Sequence, residues 1–433
     1  MGHVTRSRHR LASIIVPAIV ALTICGVLVY AASGSLDPSF GHSGTVTTNF
    51  SATNDSGDYA AAAGGAFGFI VAAGGSNASG SYDFAVARYT ANGGLDSTFG
   101  TGGKVTTDFS GSSDDRAFAM AIDSSGKTVL AGRSNGSFAL ARYLLNGSLD
   151  PNFGTGGKVT TSFSSSLSVA NAVAIQTDGK IVAAGLSDAD LALARYNSNG
   201  TLDVTFGTGG IVITDVGTPL ESAQIHAIAI QSNGKIVVAG NFSPQLSPGD
   251  TSLDSLVARY NTDGQLDVTF AGGGIYTEDV SGANQTDSAD AVALLSNGNI
   301  VAGGFTKGAS NNVEMALTQL TANGTLASAF GANGHVFTSF GPGTFSGIST
   351  LSVQTRGNIL AGGFVDVTGE DFAVARYTAT GTLDPSFGSA GVATTNFGTS
   401  TDDVVGGLVI QPTGKIVAVG SSDNDFALAR YGR

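Results

Sequence analysis

The chain of 433 residues contains no tryptophan, one cysteine and three methionines. The cysteine, Cys25, lies in an apolar N-terminal segment, so the remainder can form neither a disulfide nor a cysteine-bound metal centre. The lack of tryptophan also argues against a sugar-binding stripe of exposed indole rings. Stability must therefore come from packing and strand pairing.

Positive charge is scarce as well. Lysine and arginine number 20 against 33 aspartates and glutamates, which gives a formal net charge of -13 at pH 7. Binding to phosphate backbones needs clustered lysine and arginine, so we expect no nucleic-acid partner.

Motifs for catalysis are missing too. The sequence contains no nucleophile elbow, HExxH motif or P-loop. His42, His226 and His335 are scattered over different parts of the chain, and we interpret each as a structural residue. We therefore expect no enzyme, no catalytic residue and no cofactor, with bound Ca²⁺ as the one possible exception considered below.

Residues 1–33 differ from the rest of the chain. Three arginines, Arg6, Arg8 and Arg10, precede an uncharged apolar run over residues 14–32. This pattern predicts a signal peptide or, if it is not cleaved, an N-terminal membrane anchor. We expect residues 34–433 to be secreted, periplasmic or displayed at the cell surface.

Two short motifs recur along residues 34–433 with a period of about 53–64 residues. The first is ARY, which begins at Ala87, Ala141, Ala194, Ala258, Ala375 and Ala429, with Thr318-Gln319-Leu320 as a degenerate copy. The second is LDxxFG, which begins at Leu36, Leu95, Leu149, Leu202 and Leu383, with copies at Leu266 (as LDVTFA) and Leu326 (as LASAFG). Such a period indicates one domain built from repeated units.

Each ARY motif ends a stretch with the two-residue alternation of a β-strand, and a short glycine-containing turn joins it to LDxxFG. Counting outward from this turn places an arginine opposite an aspartate, and we expect each pair to fix the register of a hairpin. The predicted pairs are Arg88 with Asp96, Arg142 with Asp150, Arg195 with Asp203, Arg259 with Asp267, Arg376 with Asp384, and Arg430 with Asp37.

The pair of Arg430 and Asp37 decides between two architectures. Asp37 follows no ARY motif and Arg430 precedes no LDxxFG motif, so these residues can meet only if the N-terminal strand completes the last unit. We therefore predict an all-β, seven-bladed β-propeller of four-stranded antiparallel blades, closed by that strand. A β-helix or another solenoid is the alternative, and it would leave both residues unpaired.

The combination of ALARY, an Asn-Gly type of turn and LDxxFGxxG resembles the delta-60 repeat family of bacterial exported proteins. The resemblance runs from Leu36 to Tyr431 and implies an exported domain similar to a propeller. It supplies no catalytic residue.

In a propeller of this kind, the loops between strands lie on two opposite faces. One face carries short, uniform turns, whereas the other carries every long insertion and most of the acidic residues. Acidic residues in these loops are weak candidates for Ca²⁺ ligands, because Ca²⁺ prefers oxygen atoms but no known loop motif is present. The candidates are Asp114, Asp115, Asp188, Asp190, Asp402, Asp403, Asp423 and Asp425.

Taken together, these patterns favour an exported, monomeric scaffold that binds an extracellular protein or glycan through its acidic variable-loop face. Phe242 and Phe345, in irregular loops, are the best candidates for contact with a partner. One alternative is a polysaccharide-acting hydrolase or lyase with its site at the mouth of a central channel, which would require two nearby carboxylates for glycoside hydrolysis. Another is a purely structural or adhesive module.

Overall fold

A computed structural model of the chain describes residues 32–50, 61–64, 68–78, 80–111, 113–163, 167–217, 222–244, 252–282, 285–307, 312–366, 369–398, 402–423 and 425–433. The predicted leader, the apolar run and Cys25 lie almost wholly outside these residues. In the described part of the chain, no helix is long and apolar enough to cross a membrane.

The described residues fold into β-strands joined by turns and loops. The strands of the first half are β1 (Thr45–Thr48), β2 (Ala61–Gly64), β3 (Ile70–Ser76), β4 (Asp83–Tyr89), β5 (Lys104–Thr107), β6 (Arg116–Ile122), β7 (Thr128–Ser134), β8 (Ser137–Tyr143), β9 (Lys158–Thr161), β10 (Ser168–Ile175), β11 (Ile181–Ser187), β12 (Asp190–Tyr196) and β13 (Ile211–Thr214). Those of the second half are β14 (Ser222–Ile230), β15 (Ile236–Ser243), β16 (Asp254–Tyr260), β17 (Ile275–Glu278), β18 (Asp287–Leu294), β19 (Ile300–Lys307), β20 (Val313–Leu320), β21 (His335–Thr338), β22 (Phe345–Val353), β23 (Ile359–Asp366), β24 (Glu370–Tyr377), β25 (Val392–Thr395), β26 (Asp403–Ile410), β27 (Ile416–Ser422) and β28 (Asp425–Tyr431).

The prediction of seven separate four-stranded blades is wrong. Five blades are four-stranded sheets of their own: β2 to β5, β6 to β9, β10 to β13, β14 to β17, and β26 to β28 with β1. The strands β18 to β25 instead form one eight-stranded sheet. The molecule is therefore an all-β propeller with five separate blades and one double-width sheet.

The double sheet arises from a single parallel contact between two repeat units. Val313 at the start of β20 pairs with Phe345 at the start of β22, and the Ser346 hydroxyl lies between the two strands, 3.2 Å from the Val313 carbonyl oxygen and 3.2 Å from the Met315 amide nitrogen. Through this contact the two units share one hydrogen-bonded sheet.

The chain closes on itself at the last blade. Strand β1 pairs antiparallel with β28, with Thr45 opposite Ala429, and the Asp37 carboxylate lies 3.0 Å from the Arg430 guanidinium. This pairing of the first and last strands rules out a linear stack of repeats. The first strand of each unit lies innermost, and β2, β6, β10, β14, β18, β22 and β26 contact one another in turn around the centre.

Five arginines of the ARY motif, Arg88, Arg142, Arg195, Arg259 and Arg430, join two neighbouring units. The Arg195 side chain is 2.7 Å from the Asp203 carboxylate, lies over the Phe206 ring of LDxxFG and donates a hydrogen bond to the Thr262 carbonyl in the next unit. The structure brings the other predicted partners together in the same way, at 2.7 Å for Arg88 and Asp96, 3.0 Å for Arg142 and Asp150, 2.7 Å for Arg259 and Asp267, and 2.9 Å for Arg376 and Asp384.

Lysines of the tight turns complete these charge clusters. Lys180 lies 2.9 Å from Asp203, and Lys127, Lys235 and Lys415 contact the equivalent aspartates Asp150, Asp267 and Asp37. In the degenerate unit, Asn299, Gln319 and Ala327 replace lysine, arginine and aspartate, and the Asn299 amide donates to Gln319. All three charges are thus lost together, which leaves no buried charge unpaired.

Candidate functional site

The central cavity is built by a backbone irregularity that recurs in the innermost strands. A register shift interrupts the pairing of β6, β10, β14, β18, β22 and β26 with the neighbouring strand, after the third or fourth residue in most cases. Such a β-bulge adds one residue to the strand and turns its side chain out of the regular alternation. The extra residues are Phe118, Asn171, His226, Asp290, Ser349 and Gly406, and all six line the centre of the molecule.

These six residues hold equivalent positions but share no chemistry. Elsewhere the units repeat the same side chains, such as the arginine, tyrosine and phenylalanine of the two motifs. At the bulge they present an aromatic ring, two polar groups, an imidazole, a carboxylate and a glycine. The side chain at this position varies although every unit keeps the same backbone bulge, so the side chain has no packing role common to the units. The ring of bulge residues is therefore the best candidate for a binding site.

Two of the bulge residues form a connected polar pair. The His226 Nδ1 atom lies 3.8 Å from the Asp290 Oδ1 atom, and the Ser288 hydroxyl donates to the same carboxylate oxygen at 2.6 Å. The buried Asn241 amide lies 3.2 Å from both His226 Nε2 and the Ser288 hydroxyl. The two N–H groups of the Asn241 amide thus face both His226 and Ser288, and His226 Nδ1 faces Asp290.

Burial sets the charge properties of this pair. It raises the pKa of the Asp290 carboxyl above its ordinary value, and the nearby His226 and the hydrogen bond from Ser288 oppose the rise. The Asp290 carboxyl therefore loses its proton at a higher pH than a surface aspartate does. A group of this kind can accept a hydrogen bond or a proton from a ligand in the cavity.

The cavity has a volume of about 550 Å³ and two chemically different sides. Its apolar lining comes from Phe118, Val169, Leu186, Val404 and Val405, and its polar lining comes from Asn171, Gln224, His226, Asp290 and Ser349. This volume suits a small molecule, and the mixed lining suits one with an apolar side and several polar groups.

The variable loops carry carboxylates that lie close to one another. Burial and the charges of Asp215 and Asp188 raise the pKa of Asp190, and burial and the charges of Asp402 and Asp366 raise the pKa of Glu370. Acids from different loops therefore lie close enough to repel one another. The turn lysines contact aspartates at the opposite end of the molecule.

The acidic candidates for Ca²⁺ separate in the structure into residues with different surroundings. Asp114 contacts Arg116 and Arg133, whereas its neighbour Asp115 is fully buried and accepts a hydrogen bond from the Phe109 amide. Asp188 and Asp423 occupy tight turns with positive φ angles of 52° and 46°, a conformation that aspartate tolerates better than most residues.

The remaining candidates lie at strand starts and in a loop. Asp190 and Asp425 begin β12 and β28, Asp402 is exposed, and Asp403 is fully buried and accepts from the Phe397 amide at 2.9 Å. Asp114 and Asp115, and likewise Asp402 and Asp403, therefore differ in exposure or in their partners.

The two phenylalanines proposed as partner contacts also differ. Phe242 is half-buried and packs against a hydrophobic cluster that the third and fourth units share. Phe345 is 48% exposed at the start of β22. Phe345 is thus the more exposed of the two rings.

Sequence reasoning missed the bulge ring because β-bulges leave no simple pattern in a strand that is apolar throughout. From the sequence we interpret His226 as a structural residue, and nothing there links it to Asp290, which lies 64 residues farther along the chain. A signal was nonetheless present. When the units are aligned on the glycine of the tight turn after each inner strand, such as Gly179 or Gly234, the inner strands differ most at the position that carries Asn171, His226 and Asp290.

Comparison with known proteins supports the propeller assignment. A family model described as a domain of unknown function (DUF5122) beta-propeller matches residues 68–99, 124–153, 176–206, 231–270, 357–387 and 411–432. A search of curated proteins finds no match.

Several solved structures resemble the chain at low sequence identity. A streptogramin B lyase is 10% identical with a TM-score of 0.50, and the match covers 89% of this chain and 96% of that one. Sqt1 from Chaetomium thermophilum is 13% identical with a TM-score of 0.47 and coverage of 88% and 100%. Virginiamycin B lyase from Staphylococcus aureus is 10% identical with a TM-score of 0.47 and coverage of 89% and 98%. At these identities the likeness concerns the fold alone.

Proposed function

We propose that this protein is an exported binding scaffold that holds a glycan-type ligand in the central cavity, with the acidic variable-loop face as the rim. The observation that carries the proposal is the ring of six unlike bulge residues at the centre of an otherwise repetitive molecule. A purely structural or adhesive module has no use for such variation. The leader-like residues 1–33 support export, and the match to a repeat-propeller family supports our assignment of the units to the delta-60 type.

The lining favours a polyhydroxylated ligand. Asp290 accepts hydrogen bonds, Asn171 and Gln224 can both donate and accept, and Phe118 offers an apolar surface for a sugar ring. Asn241 and Ser288 hold His226 and Asp290 in place before a ligand arrives, which lowers the entropic cost of binding.

The test is binding of neutral mono- and disaccharides to the purified protein, measured by saturation-transfer NMR. We expect a saccharide to bind and Asp290→Asn to weaken it by about tenfold or more, since a hydrogen bond to a charged group contributes about 1.5–3 kcal/mol. Asp178→Asn, in a turn at the opposite end, is the matched control and should bind like the wild type. Absence of binding across the saccharide set, or equal binding by Asp290→Asn, contradicts the proposal.

A lyase is the second candidate, and the pair of His226 and Asp290 favours it over a glycoside hydrolase. Among the described residues that line the cavity, Asp290 is the one carboxylate, whereas glycoside hydrolysis ordinarily needs two. An imidazole beside a carboxylate can instead move a proton within a bound ligand. Chemical change of a bound saccharide that is lost in His226→Ala would favour this candidate over simple binding.

A further inference from the structure

Three chain segments meet where one repeat unit follows another at the variable-loop face. These are the residue that begins the third strand of a unit, the residue that follows its fourth strand, and the residue at or just before the first strand of the next unit. At the junction of the first two units these positions are Asp83, Asp108 and Asp115.

The three carboxylates converge. One oxygen from each of Asp83, Asp108 and Asp115 lies within 4.8 Å of the others. Asp83 and Asp115 are buried, with exposed fractions of 6% and 0%, while Asp108 is exposed to solvent. Like charges at this separation repel strongly when they are partly removed from water, and a bound cation would turn the repulsion into attraction.

A second observation comes from the innermost carboxylate. Asp115 Oδ2 accepts a hydrogen bond from the Phe109 amide at 2.7 Å, but no described residue hydrogen-bonds to Asp115 Oδ1, although this atom is buried. A buried, unsatisfied carboxylate oxygen is costly unless some other group compensates its charge. This oxygen belongs to the residue that completes the cluster.

The neighbouring junction shows that the three positions can change together. Between the second and third units the equivalent residues are Ser137, Ser162 and Ser168, so all three carboxylates are replaced by hydroxyls. This junction therefore lacks the carboxylates that the first junction places together.

We propose that Asp83, Asp108 and Asp115 form a Ca²⁺ site that ties the first repeat unit to the second. Carboxylate oxygens are the ligands that Ca²⁺ prefers, and its flexible coordination suits three carboxylates together with backbone carbonyls or water. Mg²⁺ demands a tighter octahedral shell and retains more of its water. The site is separate from the central cavity and does not depend on the ligand that the cavity holds.

The equivalent acids between the fourth and fifth units supply an internal control. Asp254, Asp279 and Asp287 occupy the same three positions, yet among the described residues only the first cluster brings three acidic side chains within 4.8 Å. Asp279→Asn therefore removes the same charge as Asp108→Asn, from the same position in the repeat, without touching the proposed site.

The experiment is calorimetric titration of the purified, chelator-treated protein with Ca²⁺, alongside its melting temperature in Ca²⁺ and in Mg²⁺. We expect one Ca²⁺ per chain, a rise of about 2 °C or more in the melting temperature at saturation, and a smaller rise with Mg²⁺. Asp108→Asn should weaken Ca²⁺ binding at least tenfold, and Asp279→Asn should leave it unchanged. Because Asp108 is exposed, its substitution should not prevent folding.

Two results would overturn the proposal. One is the absence of Ca²⁺ binding by the wild type at millimolar concentration. The other is equal affinity in the wild type and Asp108→Asn, which would place any bound Ca²⁺ elsewhere. Saccharide binding is measured without Ca²⁺, so the cavity proposal can fail or succeed independently.

Discussion

At the scale of single residues, the arginine of the ARY motif has several partners that belong to different strands and units. Arg195 contacts an aspartate in its own hairpin, a phenylalanine ring beneath it and a carbonyl oxygen of the next unit. It is 5% exposed. Its removal therefore leaves a buried aspartate and a carbonyl oxygen with fewer partners, besides the loss of packing.

Replacement of Arg195 by Met should lower the free energy of unfolding by about 3 kcal/mol, because it leaves the Asp203 charge buried with only Lys180 nearby. Replacement of both Arg195 and Asp203, by Met and Leu, should cost less, since no buried carboxylate remains. Thermal and urea unfolding of the two variants measures the difference. If they unfold alike, the ion pair does not account for the effect of Arg195.

At the scale of strands, the sequence was sufficient to predict the hairpins and the closing strand. Alternation before ARY, the glycine turn and the eight-residue step from arginine to aspartate are local signals, and each unit repeats them. The ends of the chain then required Asp37 to meet Arg430. These features depend on residues close in sequence or on simple complementarity, which is why they could be inferred without coordinates.

Other features at this scale could not be inferred. The fusion of two units into one sheet depends on a single bridge between Val313 and Phe345, which lie 32 residues apart in the chain. The bulges depend on how the inner strands bend around the centre. His226 and Asp290 lie in different strands, and only the ring arrangement brings them within 3.8 Å.

Strand β1 supplies the fourth strand of the last blade, so its removal should have an effect beyond the loss of its own contacts. Deletion of residues 1–48 leaves the β28 edge unpaired and removes Asp37 from Arg430. We expect a large fall in the melting temperature and a tendency to associate through the exposed edge. Deletion of residues 1–31 is the control, and size-exclusion chromatography with thermal unfolding compares the two. Equal stability and equal size would show that closure by β1 is dispensable.

At the scale of the whole molecule, charge is divided between the two ends. The loop-bearing end concentrates carboxylates that raise one another's pKa, whereas the lysines at the other end are matched to aspartates. Repulsion among these carboxylates therefore destabilises the acidic end of the folded protein. Relief of that repulsion should stabilise the fold.

Replacement of Asp190 by Asn should accordingly raise the melting temperature at pH 7. The pKa of Asp190 is higher in the folded protein than in the unfolded chain, so its ionisation favours unfolding as the pH rises through that folded pKa. Below pH of about 3.5, where the carboxyl is protonated in both states, the advantage should disappear. Melting temperatures at pH 3.5 and pH 7 test this. A gain of equal size at both values would point to a cause other than charge.

The pairing of β1 with β28 also sets the order in which the molecule can be made. Strand β1 precedes the other strands of the described chain, yet its hydrogen-bonding partner β28 follows them all. The intermediate blades can therefore form during synthesis, whereas the ring closes only after β28 has been made. A truncated product without β28 would leave the edges of β1 and β27 unpaired, and proteases would cleave it readily.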